Sequence, residues 1–76
     1  MNIYFSRHAK RQMKWRKISE EEVQTTIFNP EKIVDSLKGR KNAFKHINNK
    51  WLKVTFKKND DTFTIITAID KSNKEE

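Results

Sequence analysis

The sequence predicts an α+β fold in which an N-terminal helical hairpin packs on a sheet of roughly four antiparallel strands. Apolar residues recur at helical spacing before Pro30, whereas from Lys32 onward they alternate with polar residues, as they do in strands. With 76 residues, the chain is long enough for one domain with a single core. We therefore expect a single domain over residues 1–70, followed by a frayed, charged tail over residues 71–76.

The first helix is predicted from about Arg7 to Lys17. Ser6 precedes it, and a serine at this position caps a helix by accepting a hydrogen bond from an amide of the first turn. Ala9 and Met13 are four residues apart, so they lie on the same side of the helix and face the core. Three further side chains share a separate face of this helix: His8, Arg11 and Trp15.

The second helix has the clearest start signal in the chain. Ser19, followed three residues later by Glu22, forms a capping box, in which each side chain accepts a hydrogen bond from the main-chain amide of the other residue. The helix ends at Asn29, because the residue before a proline avoids helical backbone angles. About two residues separate the two helices, which predicts a helical hairpin.

Turn residues divide the second half of the chain into four predicted strands. Their ranges are Lys32–Leu37, Ala43–Ile47, Trp51–Lys57 and Thr62–Ile69. The third strand has the most regular alternation. The fourth is apolar or threonine on both faces, which predicts a central strand buried on both sides. A further short strand is a candidate at Asn2–Tyr4.

One face of the sheet is expected to pack on the helices and the other to face solvent. If the alternation holds along every strand, the solvent face carries these polar residues: Lys45, Lys53, Thr55 and Lys57. His46 has the same parity in its strand as Phe44. The alternation therefore leaves two orientations open for His46, toward the core or toward a ligand.

The positive charge is concentrated in two parts of the sequence. The net charge is +7, and residues 1–19 hold six of the 17 lysines and arginines without any acidic residue. Residues 37–58 hold eight more, again without any acidic residue. We expect the two stretches to fold next to each other into one continuous electropositive surface that attracts a polyanion. The alternative is a soluble protein that simply has many lysines.

The composition excludes several classes of protein. The absence of cysteine excludes a disulfide scaffold and a thiolate zinc site, and it fits a reducing compartment. The single glycine excludes a glycine-rich phosphate loop, and the two histidines have no accompanying acids at metal-ligand spacing. No apolar run approaches the roughly 20 residues of a membrane span. We therefore expect a cytoplasmic protein without a cofactor or a metal and without a membrane partner.

The residue types that remain point to chemistry done by histidine and by fixed positive charge. RNA cleavage needs a base for the 2′-hydroxyl proton, positive charge for the phosphorane and an acid for the leaving oxygen. Histidine suits the acid or base role because it titrates near neutral pH, and the candidates are His8 and His46. The candidate nucleic-acid-binding residues are Arg11, Arg16, Arg40, Lys45, Lys53 and Lys57.

Each of these candidates has a structural alternative. A histidine at the start of a helix commonly caps or packs, and lysines on a sheet face commonly only keep a protein soluble. Trp15 and Trp51 either stack on bases or pack against the protein itself. Arginine either clamps a phosphate or pairs with a nearby carboxylate, such as those at Glu20–Glu22 and Asp35.

The segment from His8 to Glu31 resembles a small domain family of unassigned function that is related to the RelE/ParE toxin superfamily. The matching residues are His8, Ala9, Met13, Arg16, Ile18, Ser19, Val23, Asn29 and Pro30. Gln12 stands where that family usually has arginine, and Lys17 where it often has glycine. The resemblance covers roughly residues 3–70 and implies the RelE/ParE-like arrangement of a helical hairpin on a sheet.

The resemblance implies a toxin that cleaves mRNA at the ribosome and is held in check by an acidic antitoxin. The leading hypothesis is therefore a metal-independent endoribonuclease of a toxin–antitoxin system. Two alternatives stay open. One is a nucleic-acid-binding module without catalysis, and the other is an interaction protein whose basic face docks an acidic partner.

Overall fold

The computed structural model of the chain describes residues 2–72. The elements follow in this order: β1 (Asn2–Phe5), α1 (Arg7–Arg16), α2 (Glu20–Phe28), β2 (Lys32–Asp35), a 3-10 turn (Leu37–Gly39), β3 (Lys41–Ile47), β4 (Lys50–Asn59) and β5 (Thr62–Asp70). The predicted α+β class and the N-terminal pair of helices are confirmed. The strand predicted over Lys32–Leu37 ends earlier, at Asp35, because Leu37 begins the 3-10 turn.

The sheet has five strands in the order β1-β5-β4-β3-β2, and it is mixed rather than antiparallel. The strands from β2 to β5 form the predicted antiparallel meander, but β1 joins at the edge and runs parallel to β5. The antiparallel meander of four strands is confirmed, and the candidate strand at Asn2–Tyr4 forms as β1. The sheet as a whole has five strands and is mixed, in place of the predicted sheet of roughly four antiparallel strands. β1 has only four residues, too few to show an alternation, and its first residue, Asn2, pairs with the distant Thr62.

Both helices begin where their caps predict. The Ser6 hydroxyl accepts a hydrogen bond from the Ala9 amide at 3.0 Å, and α1 ends where Lys17 adopts left-handed backbone angles with φ of 59°. Ser19 and Glu22 form the capping box in both directions, each bond at 3.0 Å. These contacts fix the helix ends and leave the apolar side of each helix facing the sheet.

The core lies between the two helices and one face of the sheet. Alternate residues of β4 supply its centre, and Leu52, Val54 and Phe56 are all buried. The helices contribute the buried side chains of Ala9, Met13, Val23 and Ile27, and the connection between them contributes Ile18. β5 is fully buried on this side only, since its other positions are half exposed. The predicted burial of this strand on both sides is therefore wrong, because both helices lie on the same side of the sheet.

The predicted tail falls only partly within the described residues. The Lys71 amide donates to the Trp51 carbonyl at 2.8 Å, and the Ser72 amide donates to the Asp70 carboxylate at 2.9 Å. Both residues are therefore tied to the end of the sheet, and residues 73–76 lie outside the described part of the chain. Between residues 2 and 72, neither helix has the length and apolar character needed to cross a membrane.

Candidate nucleic-acid interface

The face of the sheet that turns away from the helices is an exposed surface built from all five strands. Cross-strand partners share a face, so the register of the strand pairs identifies its members. We call this surface the open face, and it consists of Asn2, Tyr4, Lys32, Val34, Asn42, Phe44, His46, Trp51, Lys53, Thr55, Lys57, Asn59, Thr62, Thr64, Thr67 and Ile69. None of these residues is buried.

The strand positions of the open face carry positive charge and no acidic residue. Its lysines are Lys32, Lys53 and Lys57. The two strand carboxylates belong to the opposite side, because Asp35 pairs with Lys41 and Asp70 pairs with Leu52. These strand positions attract a polyanion, while the Glu31 carboxylate, which precedes β2 and bonds His46, adds one negative charge at the end of the face.

Three rings stack at one end of the open face. The Trp51 ring centre lies 5.6 Å from that of Phe44 and 4.0 Å from that of His46, with interplanar angles of 28° and 32°. The ammonium group of Lys32 lies 5.5 Å from the centre of the Phe44 ring. The His46 side chain is 70% exposed, so the stack includes a ring that a ligand can reach. Aromatic rings next to cations are the groups that bind the bases and phosphates of a single strand.

Glu31 holds His46 through two hydrogen bonds. One carboxylate oxygen accepts from the His46 main-chain amide at 3.0 Å, and the other lies 3.1 Å from Nδ1. These bonds, first from the amide and then from the imidazole, hold the pKa of the Glu31 carboxyl below its usual range. An ionised carboxylate only accepts hydrogen bonds, so Nδ1 is the donor in this contact and Nε2 is the ring nitrogen that does not face Glu31. The pair therefore presents an oriented imidazole on the open face.

The second predicted acid–base residue, His8, lies on the other side of the molecule. It is exposed in the first turn of α1, which packs on the helix-facing side of the sheet. The sheet therefore separates His8 from His46, and the two histidines do not form one site. Across residues 2–72, no group of three or more histidine, aspartate or glutamate side chains is arranged to hold a metal ion.

Five of the six predicted nucleic-acid-binding residues are divided among three places. Lys53 and Lys57 lie on the open face, as the alternation in β4 predicts. Arg11 and Arg16 are exposed on α1, where the Arg16 guanidinium lies 5.5 Å from the Trp15 ring centre. Arg40 is exposed between the 3-10 turn and β3. Lys53 and Lys57 are therefore the only two of these five that the structure brings to the ring stack's side of the sheet.

The alternation predicted Lys45 on the open face, and this prediction is wrong. Lys45 lies on the helix-facing side of the sheet, opposite Leu52. The small, fully buried Ala43 sets the parity of β3, because it pairs with the buried Val54. Phe44 and His46 consequently take the open-face positions. The alternation along this strand is ambiguous because apolar residues occupy both of its faces.

The two acid-free stretches do not form the single continuous surface that the charge pattern predicted. The cations of residues 1–19 are carried by the helix layer, while Lys53 and Lys57 lie beyond the sheet on its open face. Residues 41–58 of the second stretch form the hairpin of β3 and β4, whose successive side chains point to opposite faces, so this stretch cannot direct all its cations to one side. Some cations of this stretch also form salt bridges with acidic residues, since the Lys50 ammonium lies 2.9 Å from the Glu22 carboxylate.

Three residues around His46 and Trp51 were not predicted as site residues, namely Glu31, Lys32 and Phe44. A usable signal for the ring stack is the Asn48-Asn49 pair, which forms a two-residue turn with φ values of 51° and 66°. Such a turn pairs Ile47 with Lys50 and places His46 opposite Trp51. No signal of this kind exists for Glu31, which reaches His46 through the pairing of β2 with β3.

The relatives of the chain are identified at the level of a domain family. No curated protein and no solved structure matches it. A family model described as "Domain of unknown function (DUF4258)" matches residues 5–70, a range that includes both helices and the strands from β2 to β5. The chain therefore belongs to the DUF4258 family of domains of unknown function.

Proposed function

We propose that the protein binds single-stranded RNA on the open face of its sheet. The observation that supports this proposal is the stack of Phe44, Trp51 and His46 beside two lysines, Lys32 and Lys53, on a surface without strand carboxylates. Bases stack on aromatic rings, and lysines neutralise the phosphates between them. Every base has a π-face, so binding of this kind tolerates many sequences.

The dimensions of the open face suit a short single strand. Lys57 is six residues from Trp51 along β4, a distance of about 20 Å at the rise of a strand. Tyr4, whose side chain is largely exposed, lies in register with Thr64 and Lys57 at the far end. A single strand of RNA running from the ring stack to Tyr4 passes Lys53 and Lys57 and meets a further aromatic ring.

The choice of RNA rests on the resemblance to the RelE/ParE toxin superfamily. On that ground the proposal extends to a toxin-like protein that acts on ribosome-bound mRNA and pairs with an acidic antitoxin. An acidic protein and an RNA are both attracted by lysines. The ring stack favours RNA, because bases stack on aromatic side chains and carboxylates do not.

Binding to a single-stranded RNA of about ten nucleotides is expected to weaken as salt is added. Three lysines neutralise about three phosphates. A plot of log K, where K is the association constant, against the logarithm of the salt concentration should therefore have a slope of roughly −2. The double variant Lys53→Gln, Lys57→Gln should reduce this slope to about −1. Fluorescence anisotropy over a salt series measures both slopes.

The matched control removes two exposed charges outside the open face, with Lys38→Gln and Lys58→Gln. It has the same net charge as the first double variant and should keep the slope of the unchanged protein. A slope near zero for the unchanged protein, or an equal reduction in both double variants, would contradict binding on the open face.

The His46–Glu31 pair favours a second candidate function, which is cleavage of the bound RNA. Nε2 of His46 would take the proton of a 2′-hydroxyl, the 2′-oxygen would attack the adjacent phosphorus, and the bond from phosphorus to the 5′-oxygen would break. The protonated imidazole would then give its proton to the 5′-oxygen. The products are a 2′,3′-cyclic phosphate and a 5′-hydroxyl, and Lys53 would offset the charge of the phosphorane.

Cleavage is tested on single-stranded RNA in the presence of EDTA, with a strand of deoxynucleotides as the uncleavable comparison. His46→Ala should lower the rate by about 100-fold or more, because it removes the acid–base group. His8→Ala should retain the rate, because His8 lies beyond the sheet. Anisotropy measures binding for each protein separately. An unchanged protein that binds the RNA without cutting it would exclude this second candidate and leave the first in place.

A further inference from the structure

We propose that α1 carries a second nucleic-acid-binding surface, which holds the phosphates of a double-stranded segment while the open face holds a single strand. This surface consists of Arg7, Arg11 and Lys14, and we call it the outer stripe. It lies on the opposite side of the molecule from the open face. The bridging of two segments rests on the proposed function, whereas binding at the outer stripe does not.

The outer stripe points directly away from the sheet. Ala9 and Met13 are buried and define the inner side of α1. Successive residues of a helix are about 100° apart, so Arg11, two residues from each of them, projects to the outside. Arg7 precedes Arg11 by four residues and Lys14 follows it by three, so the three cations form one line about 10 Å long. All three residues are exposed.

The charges of α1 destabilise the helix that carries them. Arg7 and Arg11 are four residues apart, as are Lys10 and Lys14, and like charges at this spacing repel each other. The first turn contains no acidic residue to meet the positive end of the helix dipole. No carboxylate between residues 2 and 72 forms a salt bridge with the outer stripe. A ligand with closely spaced negative charges would relieve this repulsion.

The phosphate backbone of a duplex fits the outer stripe better than the other polyanionic surfaces do. Arginine binds phosphate through two parallel hydrogen bonds, and a duplex presents its phosphates at regular spacing without requiring contacts to bases. A membrane surface is disfavoured, because the apolar side of α1, Ala9 and Met13, is buried in the core and the single ring of Trp15 is all that α1 leaves exposed to insert. An acidic protein is the remaining alternative, and it is distinguished by experiment.

The thickness of the molecule keeps the two surfaces apart. α1 packs on the helix-facing side of the sheet, and the outer stripe projects further from it. The extents of the molecule are 36, 23 and 21 Å, so a straight segment bound on one side does not reach the other. Occupation of both surfaces therefore joins two nucleic-acid segments, or two parts of one folded RNA, through a single copy of the protein.

The experiment uses the full chain, a labelled RNA duplex of about twelve base pairs, and an unlabelled single-stranded RNA. We expect the Kd for the duplex to change by less than about twofold when the single strand saturates the open face. The triple variant Arg7→Gln, Arg11→Gln, Lys14→Gln should bind the duplex about tenfold more weakly and keep its affinity for the single strand. With a donor fluorophore on the duplex and an acceptor fluorophore on the single strand, energy transfer should rise as protein is added. It should fall again at excess protein, because the two nucleic acids then bind to separate copies.

The control triple variant Lys38→Gln, Lys58→Gln, Lys71→Gln has the same net charge and should bind the duplex as the unchanged protein does. Equal losses in the two triple variants, or displacement of the duplex by the single strand, would overturn the second surface. Displacement by polyglutamate at equal charge concentration would assign the outer stripe to an acidic protein instead. A further outcome is a protein that binds the duplex through the outer stripe but does not bind the single strand. That outcome would overturn the proposed function and the bridging, and it would leave duplex binding at the outer stripe in place. Thermal unfolding at an unchanged or higher temperature verifies that the first triple variant is folded.

Discussion

Replacement of Trp51 by alanine is expected to weaken the binding of single-stranded RNA by about tenfold to hundredfold. The Trp51 ring contacts both Phe44 and His46, so its loss removes the centre of the ring stack. Stacking of a base on an aromatic side chain contributes about 1–3 kcal/mol, which corresponds to this range of affinity. Anisotropy titrations at one salt concentration measure the change, and Trp51→Phe should retain most of the affinity because a ring remains.

Trp15→Ala is the matched control, because it removes the other tryptophan from the opposite side of the molecule. The Trp15 side chain is 76% exposed on α1, and its loss should leave single-strand affinity within about twofold. RNA should also quench the emission of Trp51 in the Trp15→Ala protein. If the two alanine variants lose affinity equally, the ring stack is not the binding site.

Glu22→Ala is expected to lower the free energy of unfolding by about 3 kcal/mol, a large share for a domain of this size. The Glu22 carboxylate is almost fully buried and accepts hydrogen bonds from the Ser19 amide, Asn48 and Lys50 at 3.0, 2.6 and 2.9 Å. Its removal would leave the partly buried Lys50 ammonium without its partner. Urea titration monitored by circular dichroism measures the loss. Glu21→Ala changes an exposed acid of the same helical turn and should cost no more than about 1 kcal/mol.

The same carboxylate makes the stability depend on pH. Burial by itself raises the pKa of Glu22, but hydrogen bonds from Asn48, the Ser19 amide and Lys50 outweigh it and hold the pKa below the usual value of 4.5. A carboxyl whose pKa is lowered by folding stabilises the protein above its unfolded pKa, and that contribution is lost as pH falls through the folded pKa. The stability difference between the unchanged protein and Glu22→Gln should therefore be widest near neutral pH and should narrow below pH 4.5. A difference that stays constant over this range would show that the charge of Glu22 contributes nothing.

The sequence located both helices and the four strands of the meander within a few residues. The Ser6 cap and the Ser19–Glu22 capping box act over three residues, so they can be recognised without knowledge of the fold. The alternation of β4 also placed Trp51, Lys53 and Lys57 on the correct face. It succeeded because Leu52, Val54 and Phe56 leave only one side of that strand apolar.

The sequence by itself therefore determined the helix ends, the approximate strand ranges and the orientation of β4. Only the tertiary structure decided that β1 joins beside β5, that His46 faces away from the core while Lys45 faces the helices, and that Glu31 bonds His46. Caps and alternation arise from contacts within a few residues, so they are present in any short segment. Strand order, the covered face of a sheet and contacts across strands depend on residues far apart in the chain, which meet only when the whole domain has folded.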